Sequence, residues 1–429
     1  MRGINSATID LIYLDPPFNS KVNYAAPIGS EAAGAAFKDT WTLRDLDVEW
    51  LDLIESQHPA LHRVIMAAME DSDKSYLVYM AARLLEMHRL LKDTGSIYLH
   101  CDPTMSHYLK LVMDAIFGQK NFRNEIVWQR DAAGKGAKKK SGQWPRVHDI
   151  LFLYSKSDSW TFKQAYTDLT EKQKKPYRYI EDSTERRYKA VQLGDYTQAS
   201  IDRMKNENLI HTSSSGKQYK KYYLDQAKAT VGSIWVDILG FGTRTSAKER
   251  TKYPTQKPLD LLRRIIAASS NKGDSVLDPF CGCATTCVAA DEMGRQWVGV
   301  DISEKAYELV NIRLRENQGA VYHSDGVKQH SFLEEVIHRT DTPQRTDLGN
   351  LPRYNCLENR KWLYGNQEGD CAHCGTHFEM RHLEVDHIIA RSKGGTDHID
   401  NLQMLCGSCN RIKGNRGMDY LRKRLRLAA

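Results

Sequence analysis

Two groups of residues in this chain have types and spacings that suit chemistry. Near the C-terminus, Cys371-x-x-Cys374 and Cys406-x-x-Cys409 place four thiols in two short-spaced pairs. Two thiolate pairs held on short knuckles satisfy the tetrahedral coordination of zinc. The segment around them is too short for a large core, so a structural metal would supply much of its folding free energy. The second group is Asp278-Pro279-Phe280-Cys281-Gly282, with Thr285-Thr286 after it and Asp301 further on. Open α/β sheets bind nucleotide-like ligands at the carboxyl ends of their strands. There Gly282 lets the backbone approach a ligand closely. The helix start at Thr285-Thr286 offers free amides to a carboxylate, and Asp301 can accept both hydroxyls of a ribose. The plain alternative is an ordinary α/β corner that needs a glycine only to turn.

The elements that must position these groups follow from hydrophobic periodicity. Ile9 to Leu14 is an apolar run of strand length, stopped by Asp15-Pro16-Pro17 because proline cannot continue a central strand. Leu77, Met80, Leu84, Leu85, Met87 and Leu91 recur at helical spacing across Ser75 to Leu91. A turn at Asp93-Thr94-Gly95 leads into a strand at Ser96 to His100, and another covers Asp149 to Tyr154. Later come a helix at Leu259 to Ser269, a strand at Ser275 to Leu277, a helix at Thr285 to Met293 and a strand at Gln296 to Val300. Strands alternating with helices predict a mostly parallel sheet covered on both faces. Asp131 to Gln143 reads as a mobile basic loop. Lys156 to Lys252 is polar and lacks a long periodic run. Within it, Lys217-Gln218-Tyr219-Lys220-Lys221-Tyr222-Tyr223 interleaves cations with aromatics, as a nucleic-acid surface or a solvated loop or edge strand would. Thr340 to Pro352 has the composition of a linker.

At 429 residues the chain is long enough for two or three domains. Its net charge of +7 is a mild bias toward polyanionic partners. No stretch reaches the roughly 20 apolar residues that span a bilayer. The first residues lack a signal-peptide pattern, so a cytoplasmic location is expected. In that compartment paired C-x-x-C motifs read as metal ligands rather than disulfides. The remaining cysteines, Cys101, Cys281, Cys283, Cys287 and Cys356, read as packing residues.

Asp15-Pro16-Pro17-Phe18 resembles the catalytic D-P-P-[YF] motif of amino-methylating DNA methyltransferases, and Leu277 to Thr286 resembles their cofactor motif. The catalytic motif comes first and the cofactor motif last, after Thr255-Gln256-Lys257-Pro258, an order similar to the beta group of these enzymes. The resemblance covers roughly Ile9 to Leu314. It implies a Rossmann-like, doubly wound α/β domain over residues 1–325 that uses S-adenosylmethionine and acts on double-stranded DNA. It implies a cofactor site made by Asp278, Pro279, Phe280, Gly282, Thr285, Asp301 and Lys257. Asp15 and the Pro16 carbonyl would accept hydrogen bonds from an exocyclic amine and free its lone pair. Proline fixes the aim of that carbonyl. Pro17 completes the motif, and Phe18 would stack on a target base flipped out of the duplex. Asp in the first position favours adenine N6 over cytosine N4. Residues 156–252 fall where this group keeps its target-recognition region. Two features depart from the family pattern. The cofactor loop reads Gly282-Cys283-Ala284, where alanine narrows the backbone freedom but is tolerated at a helix start. The upstream Gly-Asp segment that contacts the cofactor in relatives has no counterpart, so either the start is truncated or the adenine pocket is built otherwise.

Between and after the cysteine pairs lie Asp386-His387, Lys393-Gly394-Gly395, Asn401, Asn410 and Lys413. From about Lys361 to Arg416 this resembles the HNH nuclease signature, which implies a zinc-bound ββα-metal domain over residues 353–429 after a linker at 326–352. By that resemblance His387 is the general base. Asp386 and Asn410 hold a catalytic Mg2+ or another divalent cation, and Asn401 pins the loop that orients His387. The basic tail from Arg411 to Arg426 would grip the DNA backbone. A zinc ribbon that binds DNA without cutting is the alternative. Together the two resemblances imply a methyltransferase joined to a nuclease, as in restriction–modification. Against that stand a solitary methyltransferase with a DNA-binding module and a non-catalytic DNA-binding protein.

Overall fold

The structure is a computed structural model and describes residues 1, 4–20, 24–25, 36–37, 41, 45–131, 142, 144–241, 249–251, 253, 255–318, 351–418, 420–421 and 424. The expected basic loop at 131–143, the linker at 326–352 and the end of the basic tail fall largely outside these residues.

The principal strands are β1 (Ile9–Leu14), β2 (Leu91–Cys101), β3 (Phe122–Gln129), β4 (His148–Ser155), β5 (Tyr179–Ile180), β6 (Arg187–Gln192), β7 (Ile210–Thr212), β8 (Gln218–Tyr223), β9 (Ile234–Trp235), β10 (Ser275–Asp278), β11 (Gln296–Gly299), β12 (Leu383–His387) and β13 (Leu402–Cys406). Seven of them form one sheet in the order β9-β3-β4-β2-β1-β10-β11. β1 is parallel to both its neighbours, β2 and β10, and β10 is parallel to β11. β4 runs antiparallel between β2 and β3. The apolar run of β1 is therefore a central strand, buried on both faces as parallel strands are. The Asp93-Thr94-Gly95 turn signal appears as a break in register: Ile9 pairs with Leu91, but Leu11 pairs with Ser96.

The principal helices are α1 (Asp45–Gln57), α2 (Pro59–Met66), α3 (Asp71–Leu90), α4 (Ser106–Phe117), α5 (Leu259–Ser269), α6 (Thr285–Glu292), α7 (Glu304–Gln318), α8 (Leu357–Asn366) and α9 (Gly407–Lys413). α3 buries Leu77, Met80, Leu84 and Met87 at the spacing the sequence shows. Leu91 opens β2 instead of closing the helix. Leu261, Leu262, Ile265 and Ile266 of α5 are fully buried, each contributing about 2 kcal/mol of transfer free energy.

Lys163–Gly232 forms a compact unit of its own. It carries the antiparallel sheet β7-β8-β6-β5 and two short helices, Glu171–Lys174 and Gln198–Asn206. Its centre is Glu181, whose Oε1 accepts from Lys221 Nζ at 2.8 Å, Tyr223 Oη at 2.7 Å and Asn208 Nδ2 at 3.0 Å. Among the described residues, no helix is long and apolar enough to cross a membrane.

Candidate active site and metal centre

β1 ends at Leu14, so the sheet delivers Asp15-Pro16-Pro17-Phe18 to its carboxyl edge, beside the loop that follows the parallel neighbour β10. These residues line a cavity of about 980 Å³ together with Asp278, Pro279, Phe280, Gly282, Thr285, Asp301 and Lys257. The Lys257 ammonium donates to Asp15 Oδ2. Asp15 Oδ1 is buried without a hydrogen-bond partner among the described residues. Lys257 Nζ also stands 5.3 Å from the centre of the Phe18 ring. Lys257, expected at the cofactor, lines the cavity with the Asp278–Gly282 loop, and its ammonium meets Asp15, Phe18 and Thr255 O.

Phe18 stacks on His100, with ring centres 5.9 Å apart. His100 is fully buried and held at both nitrogens: Nδ1 lies 2.8 Å from Tyr13 Oη and Nε2 lies 3.2 Å from Asp149 Oδ2. Burial alone would push the Asp149 carboxyl up, but the His100 hydrogen bond and charge, with Lys257 and Arg130, bring it below its ordinary value. The ring that faces the cavity thus rests on a rigid polar support.

The cofactor-type loop is held from several sides. Asp278 closes β10, its Oδ1 accepting from Phe280 N at 3.0 Å and its Oδ2 from Thr286 Oγ1 at 2.5 Å. Burial pushes this carboxyl up to about 7, against those two hydrogen bonds. Gly282 has φ +49°, and a Cβ there would stand 3.1 Å from the Tyr253 ring. Asp301 accepts from Gly282 N and Ser303 N, both at 2.8 Å. A carboxylate has about four acceptor positions, so Asp301 braces the loop and keeps capacity for hydroxyls. Ala284 takes the left-handed conformation, φ +59°, as the residue capping α6. The expected tolerance of alanine at a helix start therefore meets a position that favours glycine. Arg313 of α7 bridges the loop, donating to Cys283 O at 2.6 Å and Thr285 Oγ1 at 2.9 Å.

In the C-terminal module, one ligand atom from each of Cys371, Cys374, Cys406 and Cys409 lies within 4.8 Å of the others. That clustering fits the donor set and size of a four-cysteine zinc centre. All five other cysteines are free thiols, and Cys101, Cys283 and Cys287 are buried as packing residues would be. β12 and β13 pair in a hairpin that carries Asp386 and His387. His387 Nε2 lies 3.0 Å from Asp397 Oδ1, and Arg391 Nε donates to that same oxygen at 2.7 Å. Asn401 Oδ1 accepts from Ile389 N at 2.9 Å, and its Nδ2 donates to Ile389 O at 3.1 Å and Thr396 O at 2.8 Å. Three bonds from one side chain fasten the loop after His387. Asp386 Oδ2 pairs with the fully buried Lys413 at 2.9 Å, and Asn410 Nδ2 donates to Glu384 Oε2 at 2.7 Å. Gln403 Nε2 also donates to Asp386 Oδ2 at 2.9 Å, so among the described residues Asp386 Oδ1 and Asn410 Oδ1 are the oxygens left to a hard cation.

Residues 9–311 match the family model described as DNA methylase, for N6 and N4 amino methylation. The chain belongs to this DNA methylase family. Residues 371–416 match the model described as HNH endonuclease. The chain is 26% identical over 336 residues to the type II methyltransferase M.EcaI of Enterobacter cloacae, covering 71% of this chain and 64% of that one. It is 26% identical over 324 residues to the DNA adenine methyltransferase YhdJ of Escherichia coli K12, covering 76% and 81%. It thus spans under two thirds of the first relative's length. A solved M1.HpyAVI–SAM complex aligns with a TM-score of 0.36 and 14% identity over 72% of this chain and 89% of that one.

Sequence reasoning missed the residues that support this methylase site from a distance. His100 lies 87 positions from Tyr13 and 49 from Asp149. Arg313 and Asp397 also lay outside every motif. A lone buried histidine on a strand gives no signal in sequence. An acidic residue ten positions after a candidate base, as Asp397 is after His387, would have been the one retrievable hint.

Proposed function

We propose that this methylase transfers a methyl group from S-adenosylmethionine to an exocyclic base amine in double-stranded DNA, adenine N6 in preference to cytosine N4. The observation that carries this reading is the buried, unpartnered Asp15 Oδ1 in a cavity shared with the Asp278–Gly282 loop. The loop suits the cofactor: it offers a close backbone approach at Gly282, amides at the start of α6 and a brace at Asp301. When bound, S-adenosylmethionine supplies a methyl group activated by a sulfonium.

The chain's own residues do the rest. Asp15 Oδ1 accepts one amine hydrogen and the Pro16 carbonyl the other, so the nitrogen lone pair is released from the ring. Phe18, backed by His100, presents a flat face to a flipped base and offsets part of the unstacking cost. Asp15 Oδ1, which accepts that hydrogen, can also take the proton the methylated amine sheds. The unit at Lys163–Gly232, within the 156–252 stretch, suits target recognition: Lys220 Nζ lies 5.1 Å from each of the exposed Tyr196 and Tyr222 rings.

The module at 353–429 is read as a DNA-cleaving HNH domain, in keeping with a restriction–modification or related defence role. What supports cleavage over binding alone is the His387–Asp397 pair, which orients an imidazole as a general base needs. Residues 1–325 form the methyltransferase domain in this reading, and 326–352 the linker.

The test is methyl transfer from labelled S-adenosylmethionine to unmethylated DNA, digested to nucleosides for mass spectrometry. N6-methyladenine is the expected product. N4-methylcytosine would keep the mechanism and change the base, and no labelled nucleoside would overturn the reading. Loss of metal-dependent cleavage in His387→Ala is expected for the second activity.

A further inference from the structure

The cavity that holds Asp15 is not closed by methylase residues alone. Gly365, Asn366, Gln367, Glu368 and Asp370, which end α8 and begin the zinc module, line the same space. The module is fastened there by contacts of different kinds. α8 packs along α1. Lys361 Nζ meets Asp52 Oδ2 at 2.5 Å and Arg83 Nη2 meets Glu368 Oε1 at 2.7 Å. Gly365 lies flat on Trp50, where a Cβ would stand 2.3 Å from the indole Nε1.

Both ends of this contact reach into working parts. On the methylase side, the Arg83 guanidinium covers the Tyr79 ring at 3.3 Å, and Tyr79 tilts against Phe280 of the cofactor loop at 6.2 Å. On the other side, Gln367 is buried and bonded three times: to Asp370 O at 2.8 Å, Met404 O at 2.9 Å and Met404 N at 2.8 Å. Met404 lies on β13, the strand that ends at the zinc-type ligand Cys406. Packed and hydrogen-bonded groups therefore run without a break from Phe280 to the four-cysteine cluster.

We infer that the HNH module supplies one wall of the S-adenosylmethionine site, so that the cofactor binds across both modules and its binding is coupled to their docking. This rests on the methyltransferase reading above. The wall brings two carboxylates to a cationic sulfonium cofactor: Glu368, shared with Arg83, and Asp370, beside His377. Coupling of this kind is reciprocal, so the cofactor tightens the docking by the factor by which docking tightens the cofactor.

The test uses the full chain and two measurements: hydrogen exchange with and without S-adenosylmethionine, and calorimetric affinity. The cofactor is expected to slow exchange across residues 357–370 as well as the 278–286 loop. Glu368→Gln, which keeps the side chain's size but weakens its pair with Arg83, is expected to weaken binding severalfold, and Gly365→Leu, which wedges α8 off Trp50, by about tenfold or more. Asp301→Ala serves as the control for the methyltransferase reading. If the wild type binds and Asp301→Ala does not, yet residues 357–370 gain no protection and Glu368→Gln binds normally, the wall is wrong and the methyltransferase stands. If the wild type does not bind the cofactor, both fall.

Discussion

Lys257 holds one oxygen of the Asp15 carboxylate and leaves the other buried and empty-handed among the described residues. The pair is nine-tenths or nearly so removed from solvent, at 10% and 14% side-chain exposure. The ammonium fixes the orientation of the carboxylate that, in the proposed reading, receives the amine. Lys257→Met is expected to lower kcat for methyl transfer by about 100-fold while cofactor affinity changes little. Isothermal calorimetry beside single-turnover rates separates the two effects, and a large loss of cofactor affinity would return Lys257 to the cofactor role that sequence suggested.

Asp278 gives the site a pH dependence. Its carboxyl is raised to about 7 by burial, so in the cofactor-free chain it keeps its proton below that pH. Any stability the protonated form provides is present below the ordinary aspartate value and is lost as pH rises through about 7. A cationic cofactor favours the charged form. Binding is therefore expected to release a proton and to weaken by up to about tenfold per pH unit below 7. Calorimetry in two buffers of different ionisation enthalpy detects the release, and Asp278→Asn should abolish it.

Ala284 holds a left-handed conformation that suits glycine, at φ +59°. The strain amounts to about 1 kcal/mol. Ala284→Gly is expected to raise the melting temperature of the methylase core by about 2–4 °C. A fall on melting would mean that the Cβ contributes packing worth more than the strain.

Asp386 has a structural duty besides any metal. It pairs with Lys413, which is completely buried. Removing the carboxylate leaves that buried ammonium without its counter-charge, with His387 O at 2.8 Å still accepting from it, at a cost of about 3–5 kcal/mol. Asp386→Ala should lower the stability of the zinc module together with cleavage, whereas Asp397→Asn should lower cleavage and leave the melting curve in place. Thermal melts followed alongside nicking assays distinguish the two.

Local pattern reached a good deal of this. β1 and α5 lie where the apolar periodicity put them, because β1 is buried on both faces inside the sheet and α5 buries one apolar stripe. The cysteine ligands and the Asp278–Gly282 loop were legible because their parts sit within a few residues of each other. The Tyr13–His100–Asp149 support was not, since its members come from three strands that only the sheet order brings together. The sheet at Lys163–Gly232 escaped for another reason. Its strands are short and mix Lys with Tyr, as in Gln218–Tyr223, so no period-two alternation stands out.

The bare face of Gly365 against Trp50 bears on how such fusions can be rebuilt. α8 and α1 fit one another as a lock fitted to one key: any side chain carried in at position 365 collides with the indole. An HNH module transplanted from a relative would need to bring its own matching α1 surface, or a glycine at that position. The two halves of this chain are therefore exchangeable only as a matched set.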